Sequence, residues 1–383
     1  MTAASSRTRP ADGTKGWVIG HAAGAPVILA PSWLVAAVVL TMLFAPTVRS
    51  IAPEIGDTTT YVVALSFVVL LFVSVFLHEL AHGFTARACG LQVREFAITL
   101  WGGHTAFGGA ASRPGASALI AVVGPLTNLV VAGACWLGAL AAPDGGLLGV
   151  IAYLSAVANA FVAAFNLIPG LPLDGGRVLE ALVWRVSGDR IRGSIVAGWA
   201  GRVVAVVFAV WAVGLPLLRG EDPDLFTIGW AALIGAFLWS GATGAIRGAQ
   251  SERTIGALTV AAIARPAVAV PLSASVAFAE SALVSAGAAE VVLTGPDGRP
   301  VAYVDAAAAA AVPGPSRAVT AVHAVAVPLP PGALVDGRLV GAELVRAVGQ
   351  GARTSPALAV LLDGQVTGLI FATDVVAALN PRA

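Results

Sequence analysis

Charge is what this chain has least of. Asp, Glu, Lys and Arg make up 11% of its 383 residues, against about 25% in an ordinary soluble domain. Apolar residues reach 57% and the mean hydropathy is +0.87, so the bulk of the chain belongs in a bilayer rather than in water. The formal net charge of +1 hides no large basic or acidic surface. No cluster of Lys and Arg is interleaved with aromatics, and nothing favours nucleic acid as a partner. Cysteine is scarce too: Cys89 and Cys135 lie in or beside apolar segments far apart in sequence, which gives no disulfide framework and leaves both as packing residues. No removable signal peptide is expected, because the polar stretch before Pro31, with Arg7, Arg9 and Lys15, is not followed by a short apolar core and a small-residue cleavage site.

Long apolar runs are what the chain has instead. A hydrocarbon core takes about 20 apolar residues to cross, and six segments qualify: Ser32 to Val48, Tyr61 to Ala86, Ala116 to Ala141, Leu147 to Leu171, Ser194 to Leu218 and Leu225 to Ile246. One set of connections carries Arg87, Arg94, Arg113, Arg177, Arg185, Arg190, Arg192, Arg247 and Arg253 together with the basic N-terminal residues. The other carries Arg49 and Arg219 beside Glu54, Asp57, Asp144, Glu221, Asp222 and Asp224. The positive-inside rule then puts both termini in the cytoplasm of a multi-pass protein of the plasma membrane. Residues 1–30 read as a cytoplasmic N-terminal segment and 31–250 as a transmembrane domain.

From residue 254 to 383 the long runs give way to short alternating ones closed by turns, as at Pro296-Asp297-Gly298 and Asp363-Gly364. The segment is doubled: "AAEVVLTGPDGRPVAYVDAAAAA" and "SPALAVLLDGQVTGLIFATDVVAAL" both read strand, turn, strand, helix. A soluble α/β module is expected there.

The second apolar segment ends in "SVFLHELAHGFTARACG", residues 74 to 90. His-Glu-x-x-His on a helix sets His78 and His82 one turn apart on one face, with Cβ atoms about 5–6 Å apart, a spacing that suits two imidazoles on one metal ion. Glu79 sits about 100° around the helix, where it can reach a metal-bound water without being a ligand. Polar residues of this kind are costly inside an apolar span and mark function. A zinc site takes a third protein ligand, and "NAFVAAFNLIPGLPLDGGRVLEALVW", residues 159 to 184, offers one. Pro169 and Pro172 should break the fourth span before Asp174, leaving that aspartate on irregular backbone beside Gly175 and Gly176. The depths agree, since His82 and His78 lie about 8 and 13 Å inside the Arg87 end of their span, and Asp174 lies three residues before Arg177. His104, His21 and His323 have no metal-like spacing and read as ordinary polar residues. The tryptophans read as interface anchors, and Gly124 as a helix-packing residue.

His78-Glu79-Leu80-Ala81-His82 together with "NLIPGLPLDGG" resembles the paired signature of the site-2 proteases, zinc metalloproteases that cut transmembrane helices. The resemblance extends to "GPLTN" (Gly124 to Asn128) and to "ITLWGGHTAF", which is similar to that family's membrane-embedded strand segment. It implies Zn2+ held by His78, His82 and Asp174, Glu79 as general base, Asn166 near the site and Asn128 at a further polar position. It also implies a transmembrane protein substrate within the lipid bilayer. Asn166 could donate to an oxyanion or cap carbonyls freed by Pro169. The strand-like residues Glu95 to Ala106 could supply edge hydrogen bonds to an unwound substrate. The doubled C-terminal segment resembles a pair of CBS modules, which implies a module that gates or docks, an adenine nucleotide with Asp374 holding its ribose and Asp305 in the matching place of the first copy, and a homodimer. Phe371 stands where that family shows Thr or Ser. The expected fold is therefore a polytopic α-helical membrane protein of six transmembrane helices with a C-terminal cytoplasmic α/β CBS-like pair. A transporter-like or catalytically inactive membrane protein regulated by CBS modules is the competing expectation.

Overall fold

A computed structural model describes residues 14–100, 102–143, 146–222 and 224–379. Arg7, Arg9 and Asp144, used above for orientation, lie outside them, as do Trp101 and the rest of residues 1–13 of the N-terminal segment. The chain divides into two units, Met1–Ala249 and Gln250–Ala383.

The first unit runs β1 (Trp17–Ala22), β2 (Ala25–Leu29), α1 (Ser32–Ile51), α2 (Asp57–Ala88), β3 (Val93–Thr99), β4 (Gly102–Phe107), α3 (Pro114–Ala141), α4 (Leu147–Asn166), α5 (Asp174–Ser187), α6 (Arg190–Ala209), α7 (Leu215–Leu218) and α8 (Leu225–Ala257). One π-helical turn, Val210–Gly214, joins α6 to α7. Among the described residues, six helices are long and apolar enough to cross a membrane: α1, α2, α3, α4, the continuous Arg190–Leu218 and α8. They coincide with the six expected segments. The longest of the first four, α2, has 32 residues, or about 48 Å at 1.5 Å per residue. Asp57 in its first turn and Arg87 in its last both suit the helix dipole.

Helical periodicity decides which residues of α2 face inward. Val63, Ala64, Phe67, Val68 and Phe72 pack against Ala36, Ala37, Ala45 and Val48 of α1 and against Leu154 of α4. Two turns beyond Phe67 the same face reaches Ser74, and steps of four from there give His78 and His82, all buried. The helix that anchors the bundle therefore carries its polar stripe on its protein-facing side.

Residues 17–29, expected as part of a polar segment, instead form a hairpin. Ala23 and Gly24, both at positive φ, make a two-residue turn of the kind antiparallel strands favour. Its second strand pairs in parallel with β3, Val27 opposite Phe96 and Leu29 opposite Ile98. With β4 antiparallel to β3, the sheet order is β1-β2-β3-β4. Sheet pairing satisfies the backbone groups of the inner strands β2 and β3 and leaves β1 and β4 as the sheet's edges.

The helix α4 ends at Asn166, five residues earlier than the expected span. Asp174 is not on irregular backbone: it is the first residue of α5, behind an extended Leu173. A carboxylate is favourable at that position because the helix N-terminus presents unpaired N–H groups and positive potential. In α6 a charge sits inside the span. The Arg202 guanidinium lies 4.6 Å from the Trp199 ring centroid and 5.1 Å from that of Trp239 and donates to Thr243 Oγ1 at 3.1 Å, so two aromatic faces and a hydroxyl offset its desolvation.

The second unit contains α9 (Val260–Ile263), β5 (Arg265–Pro271), α10 (Val276–Ala286), β6 (Glu290–Thr294), β7 (Pro300–Val304), α11 (Ala306–Ala310), β8 (Ala326–Pro328), β9 (Leu334–Asp336), α12 (Gly341–Gly351), β10 (Ala357–Leu362), β11 (Gln365–Phe371) and α13 (Ala372–Leu379). Its sheet order is β8-β7-β6-β5-β11-β10-β9. The doubling expected from sequence is present as strand, helix, strand, strand, helix, first in β5 to α11 and again in β9 to α13. Two cores result: Val270, Val276, Leu293 and Val322 form one, and Val335, Leu344, Leu358 and Leu369 form the other, which Val292 of β6 also joins.

Candidate metal centre

His78 and His82 are each 7% exposed and their rings meet edge to face. Their Nε2 atoms are 3.0 Å apart. Asp174 Oδ2, brought in at the start of α5, lies 3.1 Å from the first and 3.3 Å from the second. The sequence had paired these three residues, and the fold brings their ligand atoms together as one group.

Hydrogen bonds behind the rings set the tautomers. His78 Nδ1 is 2.6 Å from Asn128 Oδ1, and His82 Nδ1 is 2.6 Å from the carbonyl oxygen of Ile120. Both partners accept, so both Nδ1 atoms donate and both Nε2 atoms present lone pairs. Asp174 Oδ2 is buried without a hydrogen-bond donor among the described residues. Three acceptors therefore converge on one point, an arrangement that is repulsive unless a cation fills it. For a tetrahedral zinc ion with bonds of about 2.0–2.1 Å, ligand atoms stand about 3.3 Å apart. The observed triangle fits that ion in size and in donor type.

The stripe on α2 continues behind the ligands. Asn128 of α3 donates from Nδ2 to Ser74 Oγ at 3.1 Å and to Asn159 Oδ1 at 2.8 Å. Ser74 also donates to Asn159 Oδ1, and Asn159 of α4 donates to the Ser155 carbonyl at 2.8 Å. Three helices are thus tied by one fully buried polar network whose outlet is the His78 ring. Ser74 and Asn159 were passed over in the sequence. The spacing Ser74, His78, His82 was the available signal for the first. Asn128 holds the polar position expected of it. Asn166, two turns beyond Asn159 at the end of α4, is half-buried, and among the described residues no hydrogen bond ties its side chain to the ligands.

Close approach is made possible by Gly124. A Cβ there would stand 2.6 Å from His82 Cε1 and 2.7 Å from His78 Cε1, well inside van der Waals contact, so only glycine lets α3 lie flat on the imidazole pair. What read as a packing glycine packs on the candidate metal ligands themselves.

A cleft of about 240 Å³ opens onto the site, lined by Glu79, His82 and Asp174 and by Gly103, His104 and Thr105 of β4. His104, expected to be an ordinary polar residue, belongs to this strand, and its Nε2 is 3.7 Å from Glu95 Oε1. His21 lies on β1 and His323 in the second unit; neither joins the ligand group.

In the second unit Asp374 is not free. Arg265 Nε donates to its Oδ2 at 2.8 Å and Nη2 to its Oδ1 at 3.0 Å, while Nη1 reaches Glu290 Oε1 at 3.1 Å and the guanidinium covers the Phe371 ring. Bonds to Asp374, then to Glu290, hold the Arg265 pKa above its ordinary value. Asp305 is a helix cap, accepting from Ala307 N and Ala308 N.

Comparison with known proteins finds similarity over parts of the chain. Residues 66–144 and 141–210 match the model of Peptidase family M50. The chain is 30% identical over 248 residues to "Putative zinc metalloprotease sll0528" of Synechocystis sp., across 63% of this chain and 62% of that protein. It is 40% identical over 179 residues to "Putative zinc metalloprotease Rip3" of Mycobacterium tuberculosis, across 45% of this chain and 44% of that protein. The chain thus spans less than two thirds of the length of these relatives. Among solved structures, the site-2 protease from Methanocaldococcus jannaschii aligns with a TM-score of 0.39 at 21% identity, covering 61% of this chain and 96% of its own. A CBS domain of a membrane protein from Sphaerobacter thermophilus aligns with a TM-score of 0.28 at 12% identity, covering 36% of this chain and 96% of its own.

Proposed function

We propose, from the premise that the segment 66–210 belongs to Peptidase family M50, that the chain is a zinc metallopeptidase of the site-2 type which hydrolyses a peptide bond within or near a transmembrane segment of another membrane protein. The observation that carries this reading is the convergence of His78 Nε2, His82 Nε2 and Asp174 Oδ2 in a cleft that also holds Glu79. His78, His82 and Asp174 would hold the ion, and when bound it supplies Lewis-acid polarisation of the scissile carbonyl and a water acidified toward pKa of about 7. Glu79 takes one proton from the attacking water onto its carboxylate as the O–C bond forms. It then passes that proton to the amine nitrogen as the C–N bond breaks, so it ends as it began. Asn128, Ser74 and Asn159 keep the proton of His78 on Nδ1 throughout. Asn166 is retained as a group near the substrate carbonyl or the freed backbone of the α4 end.

A helical substrate must be unwound before its carbonyl can be attacked, and β4, at one end of the four-stranded sheet order, offers an edge to the opened strand. Both termini are assigned to the cytoplasm of a plasma-membrane protein from the distribution of basic residues. The second unit is assigned as a CBS pair that regulates the first, with an adenine nucleotide as ligand and a second copy of the chain as partner.

The test is the Glu79→Gln variant, purified beside the wild type. It should retain stoichiometric zinc and fail to cleave a co-expressed membrane-protein substrate that the wild type cuts, because an amide cannot accept the water's proton at neutral pH. Appreciable cleavage by the variant would remove Glu79 from the role of base.

A further inference from the structure

The strand β4 holds one more side chain against the cleft. Thr105 Oγ1 donates to Glu79 Oε2 at 2.7 Å and lies 3.1 Å from the Glu79 carbonyl oxygen. A hydroxyl has one hydrogen to give, and the shorter, charged acceptor takes it. Among the described residues this is the one hydrogen bond to the Glu79 carboxylate, whose three rotatable bonds would otherwise leave it several orientations.

The support for Thr105 is rigid. It pairs across the ladder with Phe96 of β3, which is fully buried at 0% exposure, and β3 is held in turn by β2. The hydroxyl is thus fixed by the sheet, while the carboxylate it touches is carried by α2.

We infer that Thr105 is the positioning residue of the Glu79 carboxylate: its hydroxyl holds Oε2 so that Oε1 is the oxygen left to take the proton. This rests on the peptidase reading of the same cleft. The contact joins the sheet to the base, so a substrate strand laid on β4 meets a base oriented by that same strand. The nearby Glu79 carbonyl oxygen is the alternative acceptor for that one hydrogen, and a purely structural tie of β4 to the main chain of α2 must be separated from the positioning role.

The experiment has two arms on the full chain in detergent. The first needs no substrate. The infrared carboxylate stretch of Glu79, isolated as the difference between wild type and Glu79→Gln, should shift in Thr105→Val and return in Thr105→Ser. An unmoved band overturns the inference. The second uses a quenched-fluorescent peptide bearing one apolar segment of roughly 20 residues. Thr105→Val should lower kcat roughly 10- to 100-fold, the worth of a charge-assisted hydrogen bond, with KM and bound zinc unchanged, and Thr105→Ser should restore kcat to within about threefold. A shifted band with undiminished kcat overturns the inference, as does a loss that follows zinc content or melting temperature rather than the hydroxyl. A wild type that leaves the peptide intact overturns the peptidase reading instead, and the infrared band still decides the contact.

Discussion

Gly124 is the residue on which the ligand pair leans, and its side of the contact can be tested alone. Gly124→Ala should force the His78 and His82 rings apart and lower metal affinity at least about 10-fold, without removing any ligand. Titration against a competing chelator measures it, and unchanged affinity would show that α3 can retreat. Asn128→Ala should cost roughly 10- to 100-fold in the same assay, as removal of a partner that orients a ligating histidine does. At this scale the sequence was legible where chemistry is written into local spacing. His78, Glu79 and His82 announce themselves because the α-helix turns a four-residue interval into a shared face. Asp174 was legible because prolines and glycines prepare its approach. Asn159, Gly124 and Thr105 were not, since what they touch lies on other elements, and no spacing within one segment encodes a contact between helices or between strand and helix.

Among the elements, α5 decides whether the third ligand arrives. Its first turn packs so tightly on the preceding loop that a Cβ at Gly176 would stand 2.6 Å from the Gly170 carbonyl oxygen, a main-chain group with no rotamer to yield. Gly176→Ala should therefore displace the start of α5, cost about 1–3 kcal/mol and reduce bound zinc, although residue 176 contacts no ligand. Thermal melting with metal analysis checks it, and full zinc occupancy would count against this view of α5. The six long helices were readable because twenty apolar residues leave few alternatives in a polar-poor chain. The start of α5 was misread as irregular because the two prolines that end α4 also hide the next N-terminus. The β1–β2 hairpin was missed because its strands are short and its partner β3 lies some 70 residues on, beyond any local signal.

For the molecule as a whole, the doubled second unit was legible because repetition shows in sequence whatever the fold. The engagement of Asp374 was not, because the Arg265 contact to it closes a distance of 109 residues. A ribose would have to displace two charge-assisted hydrogen bonds to reach that carboxylate. AMP and ATP should accordingly bind the wild-type chain more weakly than Arg265→Met, by about 10-fold or more. Calorimetric titration of both full-length proteins measures this, and equal affinities would mean that the nucleotide, if bound, does not use Asp374.

The scatter of the three ligand atoms along the chain also fixes an order of events during biogenesis. The two imidazoles leave the ribosome with α2, but the carboxylate that completes the triangle is encoded 92 residues after His82, roughly 5–20 s later at ordinary elongation rates. Over that interval the nascent protein displays two histidines and a glutamate with no third donor, after α1 and α2 have been made and before α5 exists. The ion can be captured in full coordination only once the fourth helix has been made and the chain has turned back. The candidate site is therefore complete once the first four spanning helices and the start of α5 have been made, with the last two, Arg190–Leu218 and α8, still to follow.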